Sequence, residues 1–298
     1  AYKMKTWRLP LGGRTAKGKA IVNILPIPAG VSVAAIMPVD RDEAEWGDLQ
    51  IVFATTQGDV RRNRLSDFTN VRSNGKIAMK LPDGVELVNA RICSEDDDVM
   101  LTTNSGRAIR FASTDLRVMN SRASTGVRGI RLNGDDMVVS MSVIRHFEAT
   151  PEERAAYLKM RRAMAGLTDE DAGEEDVPAD PNFSQERYEE MAAVENLILT
   201  ITRGGSGKLS SSHDYPVRGR GGMGVAAMDK AMRGGPVVAS FPVELVDQIM
   251  LVTSTGQSIR CPIDGISFRS RNAGGVRVFN TSRDEQVVSV AYIPDQGD

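Results

Sequence analysis

An imperfect repeat is the sequence feature that most constrains the fold of this chain. Gly75 and Gly126 are 51 positions apart, and so are Gly224 and Gly275. Within each copy, an apolar segment leads into a Thr-x-x-Gly turn, and a second segment with a basic residue follows. The four turns end at Gly58, Gly106, Gly205 and Gly256. Glycine there supplies the positive φ angle of a tight turn, so each turn predicts a β-hairpin.

A second glycine follows the first by 17 to 20 residues in the four units that have both. After it comes a segment rich in β-branched residues, for which we predict strands at Ala20–Leu25, Ile77–Leu81, Val127–Leu132, Val225–Met228 and Val276–Phe279. A final strand is predicted at Val85–Val88, Val138–Met141, Val237–Phe241 and Val287–Val290. Four strands per repeat are typical of a propeller blade, so the sequence predicts an all-β fold.

The repeats divide the chain into blades of one domain that spans residues 1–298. We expect a partial blade at 1–46 and further blades at 47–96, 97–145, 194–246 and 247–298. The early strands of the partial blade are missing, and an unpaired blade edge would be a liability. We therefore expect the chain to be a piece of a longer protein that supplies more sequence upstream.

Residues 146–193 interrupt the repeats and form an acidic, helical insertion. Thr150-Pro151-Glu152-Glu153 is a capping box with proline at the first helical position, which predicts a helix to about Ala165. Residues 167–182 are acidic and contain proline and glycine, which is typical of a flexible linker. A second short helix is predicted from about Ser184.

Charge is distributed unevenly between the insertion and the repeats. Residues 146–196 contain 14 acidic and 5 basic side chains, whereas the rest of the chain contains 25 acidic and 32 basic ones. The net charge of −2 for the whole chain is therefore the sum of −9 and +7. The positive field belongs to the repeats, which favours a polyanionic partner.

Basic residues cluster beside the second glycine of every unit and near the hairpins. In a ring of blades, equivalent positions fall at equivalent places on the rim, where a belt of arginines could follow a phosphate backbone. Aromatic residues make up only 5% of the chain, which argues against stacking on single strands and favours duplex DNA. The candidate DNA-binding residues are Arg14, Lys17, Lys19, Arg61, Arg62, Arg72, Lys76, Arg107, Arg110, Arg122, Arg128, Arg131, Arg218, Arg220, Arg260, Arg269, Arg271 and Arg277.

Enzymatic motifs are not found in this sequence. There is no phosphate-binding glycine loop, no pair of histidine ligands and no nucleophile elbow, so we expect no catalytic residues, metal or cofactor in this domain. Cys93 and Cys261 are expected to be free thiols in a reducing cytoplasm. No apolar run has the roughly 20 residues of a membrane span, so no membrane association is expected.

Several segments resemble the C-terminal domain of DNA gyrase A, which belongs to the type IIA topoisomerases. These are Gly18–Pro26, Thr125–Leu132, Asp247–Met250 and the Thr-x-x-Gly turns. The resemblance implies a β-pinwheel, a six-bladed propeller-like fold with strand exchange between four-stranded blades, here lacking the first blade or part of it. It also implies that the basic rim wraps DNA with positive handedness, so that the holoenzyme introduces negative supercoils.

The resemblance further implies partners and a location. The holoenzyme would use ATP and Mg²⁺ on other domains or polypeptides, and the partners would be the N-terminal cleavage-reunion domain and gyrase B. The location would be the bacterial cytoplasm, in association with the nucleoid. The family's Gln-Arg-Arg-Gly-Gly-Lys-Gly box has no intact copy here, and the nearest segment, Arg218–Gly224, departs from it at Arg218, Gly219 and Met223.

Two other functions are compatible with a propeller. One is the corresponding domain of topoisomerase IV, and the other is a scaffold that binds protein partners on one face. A scaffold requires exposed aromatic or apolar anchors, and the low aromatic content argues against it. A separate hypothesis concerns the acidic insertion, which could compete with DNA for the basic rim.

Overall fold

Four antiparallel β-sheets form the blades of a propeller-like structure. The computed structural model describes residues 1–13, 16–28, 30–39, 42–120, 124–167, 178–229, 234–282 and 284–295. Residues 1–39 precede the four sheets and form only short 3₁₀ turns, at Thr6–Arg8 and Ile21–Asn23, within the described ranges. The all-β class and the β-pinwheel architecture are confirmed.

Three blades have four strands and one has three. The first blade contains β1 (Gln50–Thr55), β2 (Asp59–Arg64), β3 (Leu87–Cys93) and β6 (Val127–Arg128), in the order β3-β1-β2-β6. The second contains β4 (Asp97–Thr103), β5 (Arg107–Ala112), β7 (Val138–Arg145) and β10 (Val225–Ala226), in the order β10-β5-β4-β7. The third contains β8 (Leu197–Thr202), β9 (Ser206–Ser211), β11 (Val237–Val243) and β14 (Val276–Arg277), in the order β11-β8-β9-β14. The fourth contains β12 (Gln248–Thr253), β13 (Ser258–Pro262) and β15 (Val287–Ile293), in the order β13-β12-β15.

The outermost strand of each four-stranded blade comes from the following repeat. Strand β6 pairs with β2 through Asp59 and Arg128, although the rest of its repeat forms the second blade. Strands β10 and β14 pair in the same way with β5 and β9. Strand exchange between blades is therefore present three times in the described structure.

The exchanged strands are much shorter than predicted. Each has two residues, residues 77–81 form no strand, and Ile21–Asn23 is a 3₁₀ turn instead of part of a strand at 20–25. The exchanged strand pairs only with the hairpin end of its partner. At Gly129 the chain then turns, since the amides of Gly129 and Ile130 both donate to the Gly58 carbonyl. The β-branched sequence beyond the strand therefore packs between blades rather than extending a ladder.

The predicted hairpins are confirmed at all four Thr-x-x-Gly turns. Gly58, Gly106, Gly205 and Gly256 have φ angles of 82°, 78°, 78° and 84°. This left-handed conformation costs glycine little and other residues about 1 kcal/mol or more. The glycine therefore fixes where each pair of central strands reverses.

Hydrophobic cores lie between neighbouring blades rather than inside single sheets. Val52 of the first blade and Leu101 of the second belong to one buried cluster. Leu199 of the third blade and Leu251 of the fourth belong to another. Since burial depends on the adjacent repeat, each blade is stabilised mainly by its neighbours, as in other repeat proteins.

The insertion forms the two predicted helices, α1 (Pro151–Met164) and α2 (Gln185–Ala193). Thr150 and Glu153 make both hydrogen bonds of the capping box, and Ser184 caps α2. Most of the predicted linker, residues 168–177, lies outside the described residues. Neither helix, nor any other in the described ranges, combines the length and apolarity of a membrane span.

Candidate nucleic-acid interface

An outer loop precedes each exchanged strand and follows the edge of the preceding blade. Parallel bridges join Arg62 to Val118, Arg110 to Val217, and Leu209 to Phe268. The bridges place the start of each loop against the middle of the second strand of a blade, and the exchanged strand then covers the hairpin end. The basic residues of these loops are thereby held on the outside of the ring.

Neighbouring outer loops are hydrogen-bonded to one another through their backbones. We call residues 75–80, 124–131, 217–229 and 268–278 the outer belt. The joining bonds are Lys80 N to Ser124 O (3.3 Å), Arg131 N to Gly222 O (2.8 Å), Gly221 N to Gly129 O (2.6 Å) and Asp229 N to Ala273 O (3.4 Å). The belt is therefore a continuous strip across the blades, not a set of separate patches.

The second glycine of three units, Gly126, Gly224 and Gly275, allows the belt to lie close to the blade. Gly126 has a φ angle of 100°, and a Cβ atom there would lie 2.5 Å from the Val60 carbonyl oxygen. A Cβ at Gly224 would collide in the same way with the Ala108 carbonyl oxygen. A side chain at either position would push the exchanged strand away from its partner, and Arg128 or Ala226 with it.

Most of the predicted DNA-binding residues are accessible. Nine are exposed, namely Lys17, Lys19, Arg72, Arg128, Arg131, Arg218, Arg220, Arg260 and Arg277. Lys76, Arg107 and Arg269 are half-buried, and Arg14 and Arg122 lie outside the described residues. The exposed set provides cationic side chains on both sides of the contacts that join 124–131 to 217–229 and 217–229 to 268–278.

Two arginines, Arg220 in the belt and Arg107 on the adjoining strand β5, are oriented by backbone carbonyls. Arg220 donates from Nη1 to Arg128 O (3.0 Å) and from Nε to Asp115 O (3.2 Å). Arg107 donates from Nε to Met223 O (3.1 Å). A guanidinium has five N–H donors, so an exposed arginine held in this way keeps donors for a phosphate.

Asp59 is an acidic neighbour of the belt residue Arg128. Asp59 is opposite Arg128 in the β2–β6 pairing. Burial raises the pKa of Asp59, and the positive charge of Arg128 partly opposes this shift. In the paired strands β2 and β6, Asp59 therefore offsets the positive charge of Arg128 only in part.

Four predicted residues, Arg61, Arg62, Arg110 and Arg271, are buried at the junctions between blades. Arg62 donates to Ser113 O (2.6 Å) and Arg110 to Ser212 O (2.8 Å), each across a junction. Arg61 donates to Ser124 O (2.6 Å), and Arg271 to Asp214 O (2.8 Å). Burial lowers the pKa of Arg110, against which the charge of Asp98 acts. These side chains join blades in the structure, so we leave them out of the proposed interface.

Two exposed cations of the same region, Lys80 and Arg117, are not among the DNA-binding residues predicted from the sequence. Lys80 follows Gly75 by five residues, as Arg131 follows Gly126, so the repeat itself contained the signal for Lys80. Arg117 is exposed next to the bridge at Val118, but no basic residue recurs at its position in the other units. Only contact with the preceding blade shows that Arg117 belongs here.

Comparison with known proteins assigns the family. A family model described as "DNA gyrase C-terminal domain, beta-propeller" matches residues 1–40, 50–94, 97–145, 196–241 and 247–294. The DNA gyrase A protein of Granulibacter bethesdensis is 47% identical over 304 residues, which cover 97% of this chain and 32% of that protein. The DNA gyrase A protein of Rickettsia bellii is 40% identical over 299 residues, or 100% of this chain and 33% of that protein. The chain thus spans about a third of the length of these relatives.

Solved structures share the fold. A DNA gyrase A C-terminal domain superposes with a TM-score of 0.63 at 20% identity, covering 93% of this chain and 75% of that one. A C-terminal domain of DNA topoisomerase IV superposes with a TM-score of 0.69 at 18% identity, covering 93% and 71%. Together with the family model, which matches most of the chain, these observations show that the protein belongs to the family of DNA gyrase C-terminal β-propeller domains.

Proposed function

We propose that this domain binds and wraps duplex DNA along the outer belt, as a DNA-wrapping domain of DNA gyrase A. The observation that supports this most is the continuity of the belt. Arg128, Arg131 and Arg220 are exposed on loops that are hydrogen-bonded to each other, so a DNA segment could pass from one blade to the next over cationic side chains.

The expected mode of recognition is contact with phosphates, with little reading of base edges. The belt itself consists of loops and two-residue strands, and among the described residues no helix or longer strand forms part of it. Phosphate contacts position a protein on DNA without specifying sequence, and preference then comes from how easily the DNA bends.

Binding to a long DNA duplex, measured at several salt concentrations, tests the proposal. The chain should bind a duplex of about 150 base pairs, and affinity should fall steeply with salt because each neutralised phosphate contributes about −0.9 to the log–log slope. Arg128→Gln with Arg131→Gln should weaken binding about tenfold or more, if each charge-assisted bond contributes about 1 kcal/mol. Affinity that stays flat between low and moderate salt would overturn the proposal.

A matched control removes two charges elsewhere on the same blades. Arg91 and Arg145 are exposed on β3 and β7, at the edge of the sheet opposite the exchanged strand. Arg91→Gln with Arg145→Gln lowers the net charge equally, but we expect little change in affinity. Equal losses in the two double variants would mean that binding follows net charge alone and has no defined path.

In the complete protein, wrapping would present DNA to a cleavage-reunion domain of the same polypeptide. Strand passage driven by ATP on gyrase B, with Mg²⁺ bound outside this domain, would then introduce negative supercoils in the cytoplasm, at the nucleoid. These steps follow from membership of the family and are proposals for the whole protein. Supercoiling assays with full-length gyrase A that contains the Arg128 and Arg131 substitutions would test them.

The alternative functions have less support. The topoisomerase IV domain is 18% identical to this chain, so its similarity shows the fold alone. The curated relatives named above are both gyrase proteins. A scaffold for protein partners would need an exposed apolar surface on the complete blades. On the outer belt the exposed arginines, Arg128, Arg131, Arg218, Arg220 and Arg277, outnumber the exposed large apolar side chains, Ile77, Val217 and Met223.

A further inference from the structure

The charges of the insertion are separated between its two helices. Helix α1 contains four of the five basic residues of segment 146–196, which are Arg154, Lys159, Arg161 and Arg162, against two acidic ones. Helix α2 has three acidic residues and one basic one. The net charge of −9 therefore hides a basic helix beside an acidic one.

The two helices of the insertion pack against the third blade. The Tyr157 ring packs edge-on against His213 of the third blade at 4.9 Å between centroids, and stacks on Tyr188 at 5.0 Å. His213 Nε2 lies 2.9 Å from the Met191 carbonyl oxygen. Both helices are thus held on the short 3₁₀ turn Ser212–Asp214 that follows β9.

The last turn of α1 contacts the outer belt. The Arg161 guanidinium lies over the Phe268 ring, 4.7 Å from its centroid, and its Nε donates to Glu195 at 3.1 Å. Phe268 is the first belt residue of the fourth blade, and the next residue, Arg269, donates its amide to Leu209 O at 2.7 Å. The C-terminal turn of α1 is therefore attached where the belt passes from the third blade to the fourth.

This junction differs from the two before it. Arg62 and Arg110 donate across the earlier junctions, but the same repeat position in the third blade is Leu209. Leu209 packs with Ile263 and makes an apolar contact instead. This third junction has no buried arginine equivalent to Arg62 and Arg110. The contact between Arg161 and Phe268 adds a connection on its outer side.

Two cations of α1 are not used by these contacts. Lys159 is exposed, and Arg162 is half-buried; in the described ranges neither side chain has a hydrogen-bond or ion-pair partner. They are three positions apart on the helix and so lie on neighbouring parts of its surface. By contrast, Arg161 is paired with Glu195, and Arg187 of α2 with Glu153 and Glu190.

We propose that Lys159 and Arg162 extend the DNA-binding surface from the outer belt onto the insertion, by contacting phosphates of the same duplex. This rests on the proposed function of the belt. The duplex is the fitting partner because the two cations lie within two residues of Arg161, which contacts the belt residue Phe268 at the junction that a wrapped segment would cross.

The test compares three double variants of the whole chain in which two positive charges are removed. Lys159→Gln with Arg162→Gln should weaken binding to a duplex of about 150 base pairs several-fold, and should reduce the salt slope by up to about 2. A duplex of about 20 base pairs should be affected less, because it can bind the belt without touching α1. Arg128→Gln with Arg131→Gln reports on the belt, and Arg91→Gln with Arg145→Gln on net charge.

Each outcome separates the two proposals. If the α1 variant binds like the wild type while the belt variant loses affinity, the inference on α1 is wrong and the proposed function stands. If neither variant loses affinity, the proposed function itself fails. Hydrogen exchange provides a second measurement without substitutions: DNA should slow exchange of amides in 158–164, and unchanged exchange there would also overturn the inference.

Discussion

Arg110 and Asp98 form an ion pair inside the second blade, with 2.7 Å between Nε and Oδ2 and both side chains buried, at 3% and 0% exposure. Arg110 also donates from Nη1 to Ser212 O of the third blade and from Nη2 to Arg145 O. One guanidinium thus connects two strands of its own blade to the neighbouring blade. The pair stabilises the relative position of the blades on which the outer belt lies.

Removal of Arg110 should destabilise the domain strongly. Arg110→Leu leaves Asp98 buried without its main counter-charge, which costs about 3–5 kcal/mol in comparable pairs. We expect the lower end, because His146 Nδ1 remains 2.7 Å from Asp98 Oδ1. Urea unfolding measures the loss. The exposed Arg131→Leu is the control, with an expected change within about 0.5 kcal/mol, and a similarly small effect of Arg110→Leu would contradict the prediction.

His146 should stabilise the fold more at acidic than at alkaline pH. Burial opposes protonation of His146, but its hydrogen bonds with Glu148 and Asp98 outweigh burial and raise its pKa. A group with a raised pKa in the folded state stabilises fully below its unfolded pKa of about 6.5, and this stabilisation is lost as pH rises through the folded pKa. The free energy of unfolding of wild type and His146→Gln should therefore differ more at about pH 5.5 than at about pH 8.5, and an equal difference at both would refute this.

Lys208 should have the opposite dependence on pH. Its Nζ donates to the carbonyl oxygens of Ser270 (2.8 Å), Arg271 (2.5 Å) and Ala273 (2.7 Å), and burial lowers its pKa to about 7. Between this value and the unfolded pKa of about 10.4, the unfolded chain binds more protons, so stability rises with pH. Relative to Lys208→Met, the wild type should gain stability from about pH 7 to about pH 9.5, as measured by urea unfolding. If the difference in stability between wild type and Lys208→Met is the same at both pH values, Lys208 remains charged in the folded protein.

Gly126→Ala should weaken both the fold and the belt. The added Cβ would lie 2.5 Å from Val60 O, at a φ angle of 100°, so β6 must shift away from β2. We expect a loss of about 2–3 kcal/mol in thermal or urea unfolding, within the range for strained backbone plus a steric clash. Gly134→Ala is the matched control, since Gly134 also has positive φ but open space around it. Equal losses in the two variants would leave no role for the close approach to Val60.

The sequence predicts elements well where one local signal determines them. The four hairpins follow from glycines whose φ angle only glycine adopts easily, and α1 begins at Thr150 because the capping box satisfies the first amides. The inner strands at Val138, Val237 and Val287 are also found, and extend two to four residues beyond their predicted ends. Each of these features depends on residues that are close together in the chain.

Features that depend on the next repeat could not be predicted in the same way. A strand with one solvent-exposed face shows alternation of polar and apolar residues, but β2 is covered by the following outer loop, so Arg61 and Arg62 are both buried. The sequence therefore did not distinguish these arginines from the exposed Arg128. Nor could local sequence show that β6 ends after two residues, because the Gly58 carbonyl that turns the chain belongs to the preceding blade.

Strand exchange also affects the order of events during synthesis. The first blade cannot be completed when β2 leaves the ribosome, because its fourth strand begins at Val127, 63 positions after Arg64. At a translation rate of about 5–20 residues per second, the open edge of β2 would wait roughly 3 to 13 seconds for its partner. During that interval on the ribosome, nascent chains on one polysome could pair through equivalent edges, and a similar delay recurs for the second and third blades.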